Sequence, residues 1–428
     1  MRERLVKRIG VLLLCVLMLG GCGEERMQSE AVAGSAENPF SETEDYGSSA
    51  GNEEILGQYE SVPETATDSE QSEAVEVIQA PVPEITLVMV GDVLLHTPLA
   101  KSGETTDGGY DFTPLFAKVK EEIEGADVAL VNQEVIIGGS ELGISGYPAF
   151  NAPYELGDAL ADTGFDVILH ATNHALDKGK RGLLNCLMFW EENYPEKAVL
   201  GIHDSEEDKK EIYVYEQDGI RIAILNYTYG TNGIPLPEDM PYGVDMLEEQ
   251  RVIGDLQTAE ELADFTVVCP HWGTEYTLSQ TKSQERWAKL FAENGADLII
   301  GTHPHVIEPV EWVEDTLVYY SLGNFANWTS GTGEGVANRM VGGMARVTIG
   351  REEDGAVRIT DWSVEPMVCH LEQGFGGVTV YPLEEYTAEL AEKNEIVKQD
   401  GNFSLNYCLE LVDTVFGDTM SVEKSSTD

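Results

Sequence analysis

From residue 85 onward, short apolar runs recur along the chain, and each stops at a polar group. Residues 85–90 stop at Gly91-Asp92, residues 127–131 run into Asn132-Gln133-Glu134, and residues 166–169 end just before Asn173-His174. Runs of this length without alternation suit strands buried on both faces. Between them, apolar residues recur at helical spacing over residues 115–123 and 154–163. Strands alternating with helices predict a parallel or mixed sheet built from strand-helix-strand crossovers.

After Glu211 the pattern changes. Residues 212–215 and 220–226 flank Gln217-Asp218-Gly219 and predict a hairpin. Apolar strands follow at 265–269, 296–300 and 316–321, with an amphipathic helix over 284–294 between the first two. A second hairpin is expected where residues 344–349 and 357–365 meet across Glu353-Asp354-Gly355, and helices over 383–394 and 403–416 close the chain. Two strand-rich halves with helices between strands fit an α/β sandwich of two sheets clad in helices.

The first residues read differently. Arg2, Arg4, Lys7 and Arg8 precede an apolar run over residues 9–19 and then Gly20-Gly21-Cys22, the order of an export signal. Leu19-Gly20-Gly21-Cys22 resembles a bacterial lipoprotein lipobox, which implies cleavage before Cys22 and a lipid on its sulfur. An uncleaved anchor or a plain signal peptide is the competing reading, and each places the body outside the cytoplasm. Residues 23–83 are rich in Glu, Ser, Ala and Gly, and no Lys or Arg occurs from 27 to 100. Such a stretch cannot bury enough apolar surface to fold, and its like charges extend it into a linker.

Charge narrows the partners. The 428 residues carry 26 basic and 77 acidic side chains, a formal net charge of -51. That excludes nucleic acid, whose phosphates demand Lys and Arg, and disfavours docking on anionic lipid by charge. Apart from Cys15 and Cys22, the cysteines are Cys186, Cys269, Cys369 and Cys408, without the spacing of a zinc site or disulfide framework. One disulfide is open to an exported chain, but the sequence does not pair them.

The polar groups at the strand ends carry the chemistry. Asp92, Glu134, Asn173 with His174, His271, and the pair His303/His305 each follow an apolar run, and ligands of α/β sheets bind beyond the carboxyl ends of strands. In GADLIIGTHPHVIEPVEW, the histidines stand two apart around Pro304. Extended chain would point both imidazoles the same way. Carboxylate oxygen with imidazole nitrogen suits Mn, Zn, Fe or Mg, and a shared carboxylate between two such ions can clamp a phosphoryl or acyl oxygen. Other readings stand beside these: Asp92 as a turn cap, Asn173 as a turn residue, Trp272 and Tyr276 as ordinary packing rather than cleft walls, and Asn324 as a loop-holding side chain. His170 reads as a core histidine, and Arg339 and Arg346 are the basic residues nearby in sequence that can meet an anion.

GDVLLH (residues 91–96), NQE (132–134), TNHALDKG (172–179), HWGTEY (271–276), GADLIIGTHPHV (295–306) and YSLGNF (320–325) occur in this order. Together they resemble the CapA family of poly-γ-glutamate capsule synthesis proteins, over about residues 85–382. The resemblance implies a calcineurin-like metallophosphoesterase fold, a four-layer α-β-β-α sandwich, with residues 84–350 as the family domain and 351–428 completing it. It implies two divalent metal ions: Asp92, His96 and His305 on the first, Asn173, His271 and His303 on the second, Glu134 between them, and His174 beside both. The chain departs from the family in following Asn132-Gln133-Glu134 with Val-Ile-Ile and in carrying Thr172 where a second Asn is common.

Three functions follow as expectations. The first is a lipid-anchored protein assisting synthesis, export or anchoring of an anionic surface polymer such as poly-γ-glutamate. The second is a metal-dependent hydrolase of phosphoesters or of envelope amide or ester bonds. The third is a non-catalytic platform in which metal ions bridge the protein to polymer carboxylates.

Overall fold

In the computed structural model, which describes residues 83–417, the unbroken apolar runs become strands buried on both faces. The strands are β1 (Glu84–Leu94), β2 (Val128–Asn132), β3 (Val167–Leu169), β4 (Ala198–Leu200), β5 (Tyr213–Gln217), β6 (Ile220–Thr228) and β7 (Phe265–His271). After them come β8 (Leu298–Ile300), β9 (Ile307–Val313), β10 (Thr316–Leu322), β11 (Asn324–Asn327), β12 (Val341–Arg351), β13 (Val357–Leu371) and β14 (Val378–Pro382). The export signal, Cys22 and the acidic linker lie outside the described residues.

Two sheets form. One has the order β14-β13-β12-β1-β2-β3-β4 with β11 against β1, and the other the order β5-β6-β7-β8-β10-β9. β1 to β4 run parallel, as do β6, β7, β8 and β10. β13 and β14 lie beyond residue 350 yet extend the first sheet, so the C-terminal part completes it.

Helices cover each outer face. Tyr154–Thr163 and Gly179–Asn193 bury Leu156, Leu160, Leu183 and Trp190 on the side of the first sheet. Glu249–Leu262 and Lys282–Glu293 bury Val252, Leu256, Trp287 and Phe291 against Val268, Trp272 and Tyr320 of the second. The four-layer α-β-β-α arrangement expected of the chain is the one present. No described helix is long and apolar enough to cross a membrane.

Several elements differ from the pattern-based expectation. Residues 115–123 form two short helices, Thr113–Phe116 and Lys120–Glu124, which together bury Leu115, Phe116 and Ile123. Residues 383–394 break at Tyr386, whose ring turns inward so that its hydroxyl lies 2.9 Å from His370 Nδ1; the helix proper is Ala388–Lys393, capped by Thr387. β9 shows no strand pattern in the sequence, because IEPVEW carries a proline and two glutamates. As the edge strand of its sheet it tolerates Pro309, which has no N–H to donate. Cys186, Cys269, Cys369 and Cys408 are all buried and free, so they form no disulfide.

Candidate metal centre

The polar residues near the carboxyl ends of the parallel strands converge: Asp92 lies inside β1, which runs on to Leu94, Glu134 follows β2 by two residues, and His271 is the last residue of β7. β1 meets β2 and β11 in register at Asp92, opposite Asn132 and Asn324. The approach is close: a Cβ at Gly91 would stand 1.9 Å from the Gly323 carbonyl oxygen, so only glycine fits there. Asp92 N donates to that same oxygen at 2.9 Å. The Asp92 carboxylate is then fixed from both sides, Oδ1 accepting from Asn132 Nδ2 at 2.8 Å and Oδ2 from His303 N at 3.2 Å.

His303 and His305 do come together, but not through strand alternation. β8 ends at Ile300, and both histidines sit at positive φ, +99° for His303 and +58° for His305. Backbone in this region is unfavourable for a side chain other than glycine and persists where surroundings impose it, most often at functional sites. The turn brings the rings to 5.7 Å between centroids, with His271 4.8 Å from His303.

Glu134 stands at the centre. Its carboxylate is wholly buried, and neither Oε1 nor Oε2 has a hydrogen-bond partner. Oε1 lies 3.7 Å from His271 Nε2 and 3.9 Å from His174 Nε2, while Oε2 lies 3.6 Å from His305 Nδ1. Burial raises the Glu134 pKa well above the ordinary value and neighbouring Asp92 adds to this, with His305 opposing. An orphaned, desolvated carboxylate is expensive unless a cation meets it.

The donor set fits such a cation. Asp92, Glu134 and His305 present ligand atoms within 4.8 Å of one another, and so do Glu134, His271 and His303. Glu134 belongs to both groups, the place expected of a bridging carboxylate. Burial, with the neighbouring histidines, lowers the pKa of His271 and His303, favouring the neutral imidazole that metals take. His303 Nδ1 is likewise buried without a partner. Burial alone would depress His305, but Glu134 and Asp92 hold its imidazolium and move it up to about 9. A proton thus stands where a divalent ion would compete for the same carboxylates.

The other expected residues take different places. Asn173 Oδ1 lies 2.9 Å from His271 Nε2, at the edge of the second group. His96 joins neither group: it precedes the helix Thr97–Ser102, packs edge-on against Phe150, and lines a cleft with His305. Tyr276 and Asn324 line the same cleft. Asn324 Oδ1 is 3.1 Å from His305 Nδ1, and Asn324 Nδ2 donates to the His305 carbonyl at 3.1 Å. Trp272 does not wall the cleft. It points outward from β7 into the helix layer, where its Nε1 donates to the Tyr320 carbonyl; alternation after His271 sends the neighbouring side chain to the opposite face. Arg346 is occupied by Glu122 and Glu365, whereas Arg339 lines the cleft. His170 is a core histidine, fully buried and depressed to about 3.

Sequence reasoning missed the residues that hold the ligands. Asp177 Oδ2 lies 2.7 Å from His174 Nδ1 and also accepts from Phe150 N at 2.7 Å, fixing the ring with Nε2 toward Glu134. Thr302 Oγ1 stands 3.0 Å from His271 Nδ1, and Tyr229 packs on His303 with ring centroids 4.7 Å apart. Asp177 was findable, three residues after His174 in TNHALDKG. Tyr229 had no local signal, because a distant loop supplies it.

Comparison with known proteins places the chain in a family. The family model described as bacterial capsule synthesis protein PGA_cap matches residues 86–329. The PGA biosynthesis protein CapA of Bacillus subtilis is 36% identical over 176 residues, 40% of this chain and 45% of that protein. The capsule biosynthesis protein CapA of Bacillus anthracis is 27% identical over 272 residues, 57% of this chain and 61% of that protein. The chain thus spans less than two thirds of the length of these relatives. A solved structure described as a 5'-nucleotidase from Staphylococcus aureus superposes with a TM-score of 0.44 and 19% identity, covering 66% of this chain and 54% of that one. With its family model matched from residue 86 to 329, a stretch that contains Asp92, Glu134, His271, His303 and His305, the chain belongs to the bacterial capsule synthesis protein family PGA_cap.

Proposed function

We propose that this protein works outside the cytoplasm, held to the membrane by a lipid on Cys22, in the synthesis, export or anchoring of an anionic surface polymer of the poly-γ-glutamate kind. We further propose that its centre binds two divalent ions and is hydrolytic. The observation that carries the reading is Glu134, buried and unpartnered at both oxygens between two groups of ligands. The name of the Bacillus subtilis relative, a PGA biosynthesis protein, supports the choice of polymer.

Asp92, Glu134 and His305 would hold one ion, and Glu134, His271 and His303, with Asn173 at the edge, the other. Divalent ions so held supply Lewis acidity toward a phosphoryl or acyl oxygen. The chain's own residues do the rest. Asn132 and the His303 amide orient Asp92, and Asn324 orients His305. His174 moves a proton at Nε2, with Asp177 holding Nδ1. Phe150 packs on the His174 ring at 4.7 Å between centroids and keeps water from that side.

Non-catalytic binding is the second reading, favoured by one observation. A chain of net charge -51 holds a polyanion only through cations or a local basic group. Manganese-loaded protein assayed on a phosphodiester and on poly-γ-glutamate separates the two. Turnover that falls by about a hundredfold or more in Glu134→Ala supports the hydrolase. Metal binding with no turnover under any divalent ion supports the platform and removes the hydrolase.

A further inference from the structure

Beside His305 the centre opens into a cleft of about 190 Å³, lined by Tyr276, Asn324, Thr329 and Arg339 among others. Arg339 is unusual in this acidic chain. Arg221 pairs with Asp264, Arg251 with Asp255, Arg346 with Glu122 and Glu365, and Arg358 with Asp354. The recorded partners of the Arg339 guanidinium are neutral: the Tyr276 ring, 3.5 Å from centroid to guanidinium carbon, and Thr329 Oγ1, 2.9 Å from Nη1. Its Nε is buried without a partner.

The placement is tied to the centre. Asn324 Nδ2 donates both to the Arg339 carbonyl at 3.0 Å and to the His305 carbonyl at 3.1 Å, so one amide sets the distance between cation and ligand. Tyr276, itself at φ +65°, holds the guanidinium flat from below and leaves it few rotamers to lose on binding. A planar fork with a single positive charge matches one planar monoanion. A phosphate dianion would keep uncompensated charge here, close to Glu275, which acts on the Tyr276 hydroxyl.

We infer that Arg339 is a specificity-determining residue: stacked on Tyr276, it seats a free carboxylate of the substrate chain while the neighbouring bond lies at the His305 side of the centre. The inference rests on the function proposed above and adds to it the residue that reads the free carboxylates of the chain.

Full-length protein, manganese-loaded, is titrated calorimetrically with a short γ-linked glutamate oligomer, with the same oligomer amidated at its α-carboxylates, and with inorganic phosphate. Bound manganese is measured in each sample. In R339Q, affinity for the acidic oligomer falls about tenfold, as for loss of one charge-assisted pair. R339K, which keeps the charge but not the stacked planar fork, regains only part of that loss, and the amidated oligomer binds equally weakly to all. An R339Q protein that binds the acidic oligomer as tightly as wild type, or that loses phosphate instead, overturns the inference. So does a wild type that treats acidic and amidated oligomers alike. Absence of bound metal in the wild type removes the proposed function, and the acid-versus-amide preference then still decides the subsite.

Discussion

Asn324 holds His305 at two points, its Oδ1 3.1 Å from the ring Nδ1 and its Nδ2 donating to the backbone carbonyl at 3.1 Å. One side chain therefore sets both the path of a turn that would otherwise relax from φ +58° and the direction of the imidazole. Residues that fix a metal ligand in place commonly account for 10–100-fold in metal affinity, and here Asn324 shares Nδ1 with Asp92, whose Oδ2 lies 3.2 Å away. Asn324→Ala is expected to weaken divalent-ion binding by about that factor, read by calorimetric titration with manganese. It also strands the carbonyls of His305 and Arg339, a cost of about 1–3 kcal/mol visible in chemical denaturation. Unchanged affinity would show that Asn324 only closes a loop.

Asp177 reaches the reaction only through His174. Asp177→Asn should leave bound metal unchanged, since Asp177 belongs to neither ligand group. It should lower kcat by about 10- to 100-fold, because the imidazole loses the firm hold that keeps Nε2 toward Glu134. A loss confined to KM would contradict a role in proton transfer.

Glu308 gives a pH prediction away from the centre. Burial pushes its carboxyl from the usual 4.5 up to about 8, with the Gln284 amide, 2.5 Å from Oε2, offsetting part of this. The folded state thus holds this proton more tightly than the unfolded chain. Its stabilising contribution is full below the ordinary glutamate value and is lost as pH rises toward 8, at about 1.4 kcal/mol per pH unit of the difference. Glu308→Gln keeps the acceptor and removes the titration. Thermal melts should show the variant gaining on wild type between pH 5 and 8 and exceeding it at pH 8.5. Parallel profiles would contradict the buried, protonated glutamate.

These cases show how far the sequence reaches. β1, β2 and β3 were legible because residues such as Val88 and Leu130 stand in dense apolar runs, and the polar groups at Asp92 and Glu134 marked the neighbourhood of the carboxyl ends, although β1 runs on to Leu94. β9 was not, since an edge strand admits Pro309 and Glu311. The spacing of His303 and His305 pointed to a pair, yet extended alternation was the wrong geometry: two left-handed residues make the pair, and φ is not written in the apolar pattern. Trp272 was ambiguous for a related reason. Its neighbour His271 faces the centre, and a single-residue step decides which layer a side chain enters. Tyr229 comes to His303 from a loop distant in sequence, so its part depends on topology alone.

The central claim is that Glu134 joins two groups of ligands into one site for two divalent ions. Metal content of the purified full-length protein, measured by elemental mass spectrometry after equilibration with manganese and removal of excess, tests it most directly beside Glu134→Gln. The account predicts two ions per chain in the wild type and fewer than one in the variant. A wild type that retains no divalent ion, or a variant that retains both, would contradict it.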